Sequence, residues 1–376
     1  MTTTTAPGQI LTGAAAIAEG EAREHFRRPR RPANYNERLV EAASILEAGL
    51  SGSYSALGRL EEAMSTSDFP FYLADILDRE LLPAYQSIDP VWAAFARKTG
   101  VRDFRPKTFV DLLGGQEILE RVPEGTEYPA GSLEDAKYSL TVGKFGRRLP
   151  LTFEAIVNDD LGDFRTLPER LAQAARNTED YTITGLVATP TGPSSAFFKA
   201  DNGNAPTALP LTLDNLSTAI TTVTSRTVDD APVVFPMLIL MVPPGLSVQA
   251  NNIVNALQIE DTQGNKKLTV KNWLASKIRV IENPWLPVLD KSGKANSTWY
   301  VLPDPNAARP AVAAGFLRGR EVPDLRVKAD QGSRIGGGSI GPEEGSFEDD
   351  TTQYRVRHIL GGTTLDPIGT YVSTGS

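Results

Sequence analysis

The stretch at 104–154 constrains this chain more than any other. Two strand-like arms flank a turn-rich tip. The incoming arm reads FRPKTFVDLL at 104–113, and the tip reads VPEGTEYPAG at 122–131. On the return arm Tyr138, Leu140 and Val142 alternate with Ser139, Thr141 and Gly143. Farther on, Leu149, Leu151 and Phe153 alternate with Arg148, Pro150, Thr152 and Glu154. The apolar parity changes between the two runs. A slip of one residue turns side chains to the opposite face, so the pattern predicts a bulge or bend at 143–146. An isolated hairpin is marginal in water even when it has an apolar face. This one has few apolar groups at its tip, so it must be stabilised by something outside itself.

The remainder of the chain supplies the burial that this excursion lacks. Leu39, Ala43, Leu46, Leu50, Leu57, Leu60 and Met64 fall at three- and four-residue steps, which predicts helix over 37–64, interrupted at Gly49 and Gly52. Residues 69–96 carry a dense apolar set and read as helical turns broken at Pro83 and Pro90. The strongest helix signal follows. Thr166 and Glu169 form a capping box with Pro168 in the tolerant first turn, and a helix is predicted over 167–186. Its apolar face is read as Leu167, Leu171, Ala174, Ala175, Thr178, Tyr181 and Leu186. A second α+β unit starts near Leu211, with a helix opening at Thr212. Its continuous apolar run VVFPMLILMV at 233–242 predicts a buried strand, followed by a turn at 243–245 and a helix over 247–257. Further strands are predicted at 277–281 and 298–302, and a β-rich end over 354–372.

Composition removes several functions. The 376 residues correspond to about two to three domain-sized units. Acidic residues outnumber basic ones 46 to 38, a net charge of −8, which is wrong for a protein built to grip nucleic acid tightly. With no cysteine, disulfides, thiolate metal sites and cysteine nucleophiles are excluded. No apolar run approaches the roughly 18 residues that span a bilayer, and the N-terminus lacks the layout of a signal peptide. Gly336, Gly338 and Gly341 match a dinucleotide fingerprint as a string, but Pro342 and two glutamates stand where a helix should open. The two histidines, His25 and His358, have no second histidine at ligand spacing. The adjacent acids Asp159–Asp160, Glu343–Glu344 and Asp349–Asp350 read as solvated turns. No cofactor is implied. Arg27, Arg28, Arg30 and Arg31 form a basic, proline-broken arm that reads first as a solvated linker and second as a face for DNA or an acidic partner.

The order of parts, with several local strings, resembles the major capsid proteins of tailed bacteriophages, of the Hong Kong 97-like, Mu-type class. The strings are FGRRLPLTFEAIVNDD at 145–160 with LGDF at 161–164, LAQAARNTED at 171–180, MLILMVPPGL at 237–246, WYVLPD at 299–304 and FLRGREVP at 316–323. The resemblance covers about residues 70–376. It implies an α+β capsid fold with an N-terminal arm at 1–68, a lead into the P-domain at 69–103 and an extended E-loop at 104–154. The P-domain spine helix follows within 155–207, with Leu167, Leu171, Ala174 and Tyr181 on it. An A-domain is implied at 208–325 and a β-rich return at 326–376. The family often carries a removable N-terminal scaffold segment, for which residues 1–66 read instead as an enlarged arm. Some relatives crosslink an E-loop lysine to a neighbour. Lys107, Lys137 and Lys144 are present, no partner asparagine is identified, and no crosslink is predicted.

The implied function is structural and not enzymatic: self-assembly into hexamers and pentamers of an icosahedral shell around double-stranded DNA. The E-loop tip, with Val122, Glu124, Glu127 and Tyr128, would lie on a neighbouring subunit. Implied partners are further copies of the chain, portal, scaffolding and decoration proteins, and weakly held DNA, with no membrane. The implied location is the virion, after assembly in the host cytoplasm. The alternative within the same fold is an encapsulin-like shell around protein cargo, separable by nuclease-protected nucleic acid in the particle. The alternative from another class is a carboxylate-based hydrolase, separable by turnover from a monomer.

Overall fold

The computed structural model describes residues 39–44, 79–112, 135–152, 167–228, 231–256, 258–263, 266–327, 332–333, 339–340 and 351–375. The chain divides into two compact units. The first comprises Met1–Ile88, Lys144–Arg176 and Arg320–Ile359, and the second Asp89–Gly143, Asn177–Gly319 and Leu360–Ser376. The main strands are β1 (Arg97–Val101), β2 (Lys107–Leu112), β3 (Asp135–Leu140), β4 (Val142–Thr152), β5 (Leu238–Val242), β6 (Gln258–Gln263), β7 (Lys266–Lys271), β8 (Ile278–Glu282), β9 (Trp299–Pro303), β10 (Val312–Leu317), β11 (Asp324–Val327), β12 (Thr351–Thr364) and β13 (Tyr371–Ser373). The helices are α1 (Leu167–Thr184), α2 (Leu213–Thr224), α3 (Pro244–Asn255) and the single turn α4 (Leu286–Leu289).

The second unit is built on a four-stranded sheet of order β8-β5-β9-β13, in which β8 runs parallel to β5 and the other pairs are antiparallel. Every residue of β5 is buried. Its side chains alternate between two cores, as a period of two requires. Ile239 and Met241 pack with Trp92, Phe95, Ile183 and Phe198. Leu238, Leu240 and Val242 pack with Leu216, Ile220 and Val223 of α2 and with Ala250 and Val254 of α3. A strand covered on both faces needs apolar residues at every position, and this explains the unbroken run in the sequence.

Several boundaries differ from the sequence reading. The strand expected over 233–242 is confined to Leu238–Val242, because Pro236 has no N–H for a ladder. Val233 and Phe235 are nevertheless buried, while Val234 is exposed. The expected turn at 243–245 is instead the start of α3, with Pro244 at a position whose missing N–H costs nothing. Helix α2 opens as expected, with Asn215 N donating to Thr212 Oγ1 at 3.3 Å. The β6–β7 hairpin had no counterpart in the sequence reading.

Several buried polar groups of the second unit are paired, as a low-dielectric interior favours, while Asp290 Oδ2 is buried without a hydrogen-bond partner among the described residues. Trp92 donates from its backbone N to Asp180 Oδ1 and from Nε1 to Glu179 Oε2, both at 2.8 Å. Asn283 Nδ2 donates to Thr184 Oγ1 at 3.0 Å, and Arg309 meets Asp366 at 2.8 Å with both side chains buried. Arg226 donates to the carbonyls of Ile368, Thr370 and Gly203, and its burial lowers its pKa from the ordinary value. Burial, reinforced by the charge of Asp290, pushes the Tyr300 phenol far above its ordinary value, and burial alone does the same for Tyr354. Both are neutral core phenols.

In the first unit β11 pairs antiparallel with residues 354–357 of β12. Asp324 receives Arg357 through two hydrogen bonds, 3.0 and 2.7 Å, and Arg326 through a third at 3.0 Å. The Arg176 guanidinium stacks 3.6 Å over the Tyr85 ring, and Tyr85 meets the buried His358 edge-on. Residues 79–87 are helical straight through Pro83, so the break expected there is absent, whereas the chain does leave the helix before Pro90. Strand β4 runs unbroken across 143–146. The interruption in the return arm falls at Thr141, between β3 and β4, and not at the predicted bulge.

Helix α1 is continuous as expected and ends two residues early, at Thr184. Its face differs from the one predicted. Leu171, Ala172, Ala175, Glu179, Asp180 and Ile183 are buried, while Ala174 and Tyr181 are exposed. Residues two apart lie about 200° apart around a helix. Burying 172 and 183 therefore turns 174 and 181 outward. The sequence reading followed apolarity and so missed that the inward row uses two carboxylates, held by Trp92.

Candidate assembly surface

Strands β2 and β3 form a hairpin with Lys107 opposite Leu140 at the root and Leu112 opposite Asp135 at the far end. Among the described residues the pair makes a two-stranded sheet of its own. Thr108 and Ser139, opposite each other, include no apolar group, and both are exposed.

The root is fixed differently. Leu140 is fully buried and Val142 nearly so. Beneath them Gly315 of β10 faces Gly361 of β12 in register. A Cβ on Gly315 would approach Leu140 Cδ2 to 2.7 Å, and one on Gly361 would run into the Thr141 carbonyl oxygen. Two glycines thus make the notch in which the hairpin is seated, a close approach that side chains would prevent.

Beside the root lies a basic surface. The loop joining β1 to β2 carries Arg102, Asp103, Phe104 and Arg105, all exposed. Lys107 Nζ donates to the Gly100 carbonyl at 3.3 Å. Arg318, exposed at the end of β10, donates its backbone N to Val101 O at 2.9 Å, and its Nε lies 2.9 Å from where a Gly100 side chain would begin. Lys98 lies over the Phe316 ring. The members of this cluster are separated by some 220 residues and are brought together by the parallel pairing of β1 with β10, so no local sequence signal marks it.

Exposed apolar groups form the other candidate contacts. The exposed Val248 and half-buried Ile253 of α3, with half-buried Leu213 and the buried Leu211, line an open groove of about 600 Å³. Tyr181 is 49% exposed and meets Trp285 edge-on. Of the residues named from sequence, Leu171 is buried, Leu167 half-buried, and Ala174 and Tyr181 exposed. Val122, Glu124, Glu127 and Tyr128 of the tip lie outside the described residues. So do Arg27, Arg28, Arg30 and Arg31, the fingerprint-like glycines, and the adjacent acid pairs. Among the described residues no group of three or more His, Asp or Glu is placed to hold a metal ion, and no helix is long and apolar enough to cross a membrane.

Residues 137–373 match the family described as phage capsid protein, which is more than half of the chain. The chain belongs to that family. This capsid protein is therefore a structural shell subunit, as its sequence resemblance implied. Its solved relatives are distant. A structure from Gordonia phage Cozz has 16% identity and a TM-score of 0.44, covering 75% of this chain and 84% of the other. The head structure of Helicobacter pylori bacteriophage KHP40 has 11% identity and a TM-score of 0.46, covering 76% and 90%. The SrpI encapsulin complex from Synechococcus elongatus PCC 7942 has 11% identity and a TM-score of 0.42, covering 77% and 88%. No curated protein matches the sequence.

Proposed function

We propose that this capsid protein is the major head subunit of a tailed phage. It assembles as hexamers and pentamers into an icosahedral shell around double-stranded DNA, without catalysis of its own. The arrangement follows the Hong Kong 97-like plan: an arm at 1–68, a lead-in at 69–103, an E-loop at 104–154, a spine-helix segment at 155–207 carrying α1, an A-domain at 208–325 and a return at 326–376. The tip residues Val122, Glu124, Glu127 and Tyr128 contact a neighbouring subunit. Portal, scaffolding and decoration proteins are its partners in the head, which assembles in the host cytoplasm.

One observation carries this reading. The hairpin of β2 and β3 is seated firmly at its root, yet along its length its two strands pair only with each other among the described residues. Two strands alone are marginal in water. A second copy of the chain supplies the missing contact.

The test is a shell-assembly assay, read by negative-stain imaging and sedimentation, with residues 123–130 replaced by a short Gly-Ser turn. The far-UV circular dichroism and thermal unfolding of the unassembled subunit should stay unchanged, while shells fail to form. Normal, heat-stable shells from this variant would overturn the placement of the hairpin. Nuclease-protected DNA in wild-type particles is expected, and protein cargo without it would favour the encapsulin-like alternative.

A further inference from the structure

The basic surface beside the hairpin root has no role in the account so far. Arg102, Arg105 and Arg318 are exposed, and none has a carboxylate within 4.0 Å among the described residues. Lys98 and Lys107 border them. Asp103 is the one acid in the same loop, and its Oδ1 accepts from the Arg105 backbone N at 3.1 Å, so it shapes the turn that presents the two arginines. Phe104, 45% exposed between them, adds an apolar face to the patch. The loop alone carries two arginines against one aspartate, and Arg318, Lys98 and Lys107 add to it, a local reversal in a chain of net charge −8.

The opposite reversal occurs in the segment that joins β2 to β3. Residues 113–134 hold five glutamates, at 117, 120, 124, 127 and 134, against the single Arg121. They also hold Ile118, Leu119, Val122 and Tyr128, apolar partners for a patch that carries an exposed phenylalanine. We infer that the basic surface formed by Arg102, Arg105 and Arg318 is the docking site for the acidic 113–134 segment of a second copy of this chain. This rests on the reading of the hairpin as an intersubunit loop and names the surface that receives it.

Geometry favours a neighbour over the same chain. Six residues of β2 span roughly 20 Å. The acidic segment therefore leaves the hairpin at the end remote from its own patch. A neighbour's patch can be met without doubling back along the hairpin. Nucleic acid is the less favoured occupant. Only three guanidinium groups are on offer, with a carboxylate inside the loop, whereas the 113–134 segment matches the patch in both charge and apolar content.

Charge reversal of the patch leaves the core intact, since Arg102, Arg105 and Arg318 are all exposed. A patch variant carries Arg102→Glu, Arg105→Glu and Arg318→Glu. A segment variant carries Glu120→Lys, Glu124→Lys and Glu127→Lys. Each alone places like charges together and should raise the concentration for half-maximal assembly about tenfold or more. Mixed in equal amounts, the two variants should co-assemble within about threefold of the wild-type concentration, because in an alternating ring of six each segment meets an oppositely charged patch on the other variant and a ring of five keeps a single like-charged contact. Within a single chain of either variant the charges still repel, so rescue by mixing requires contact between chains.

If mixing gives no rescue while both variants retain wild-type circular dichroism, the docking site is wrong. If the 123–130 replacement still blocks shells in that case, the E-loop reading survives alone. If that replacement assembles normally, both fall. If the patch variant builds normal empty shells and loses only packaged DNA, the patch faces nucleic acid and the inference is overturned.

Discussion

Strand β5 and the β2–β3 hairpin belong to the same compact unit and are built on opposite principles. Every side chain of β5 is buried, and its two faces are covered by α2 and α3 on one side and by Trp92, Phe95 and Phe198 on the other. At the hairpin root Leu140 and the neighbouring Val142 are buried over Gly315 and Gly361, whereas Thr108 and Ser139, the next pair along, are exposed. Buried apolar area contributes about 25 cal/mol per Å². The first region therefore contributes to the subunit's own stability, and under the proposed reading the second offers its surface to other copies. For a shell subunit this division is useful. The body must fold before assembly, and the contact that assembles must not be satisfied within one chain.

The sharpest way to break the comparison is at Leu240. It is fully buried in the core lined by α2 and α3. Leu240→Ala removes its side-chain contacts and leaves a cavity, a loss of about 3–5 kcal/mol. The thermal midpoint of the unassembled subunit should fall by roughly 10 °C. A shift of only a degree or two would mean that the second unit is not organised around this sheet.

A smaller effect is expected at the junction of the two regions. In Gly361→Ala the new methyl collides with the Thr141 carbonyl, which is backbone and cannot rotate away. The hairpin root must move, at a cost of about 1–3 kcal/mol. Because the movement re-aims the hairpin, assembly should suffer more than the midpoint. Particle yield measured beside thermal unfolding separates the two. Unchanged yield with an unchanged midpoint would remove the glycine notch as the seat of the hairpin.

The body of the fold was far more legible in the sequence than its surface. The run at 233–242 announced a buried strand, which the structure confines to Leu238–Val242, because a strand covered on both faces tolerates no polar position. The start of α2 at Thr212 was visible because capping chemistry is local, while Thr166, the cap expected for α1, lies outside the described residues. The face of α1 was misread for the converse reason. Glu179 and Asp180 are accommodated inside with the help of Trp92, about 87 residues away, which donates to both. The break expected at Pro83 does not occur, since residues 79–87 are helical through it. The basic patch was invisible because the parallel pairing of β1 and β10 brings Arg318 to Gly100. What the sequence did convey about the assembly surface was a deficit: a long excursion with too little of its own to bury.

Tyr181 offers the smallest and most discriminating measurement. It was placed on the buried face from its apolar ring, and it is 49% exposed, touching Trp285 edge-on with ring centroids 5.9 Å apart. Edge-to-face pairs contribute about 0.5–1.5 kcal/mol, and half-exposed ones belong at the low end. Tyr181→Ala should therefore cost the isolated subunit at most about 1 kcal/mol, a change of a few degrees or less in its midpoint. Truncating a buried aromatic would instead cost about 3–5 kcal/mol. A large loss in the unassembled subunit would put Tyr181 back in the core and rotate the assigned face of α1. If the midpoint holds and shell formation weakens, the exposed ring joins the hairpin as surface kept open for another subunit, and the contrast between a self-sufficient body and an unsatisfied exterior extends to α1. If neither changes, the ring is ordinary exposed apolar surface, and the contrast is confined to the hairpin and the patch at its root.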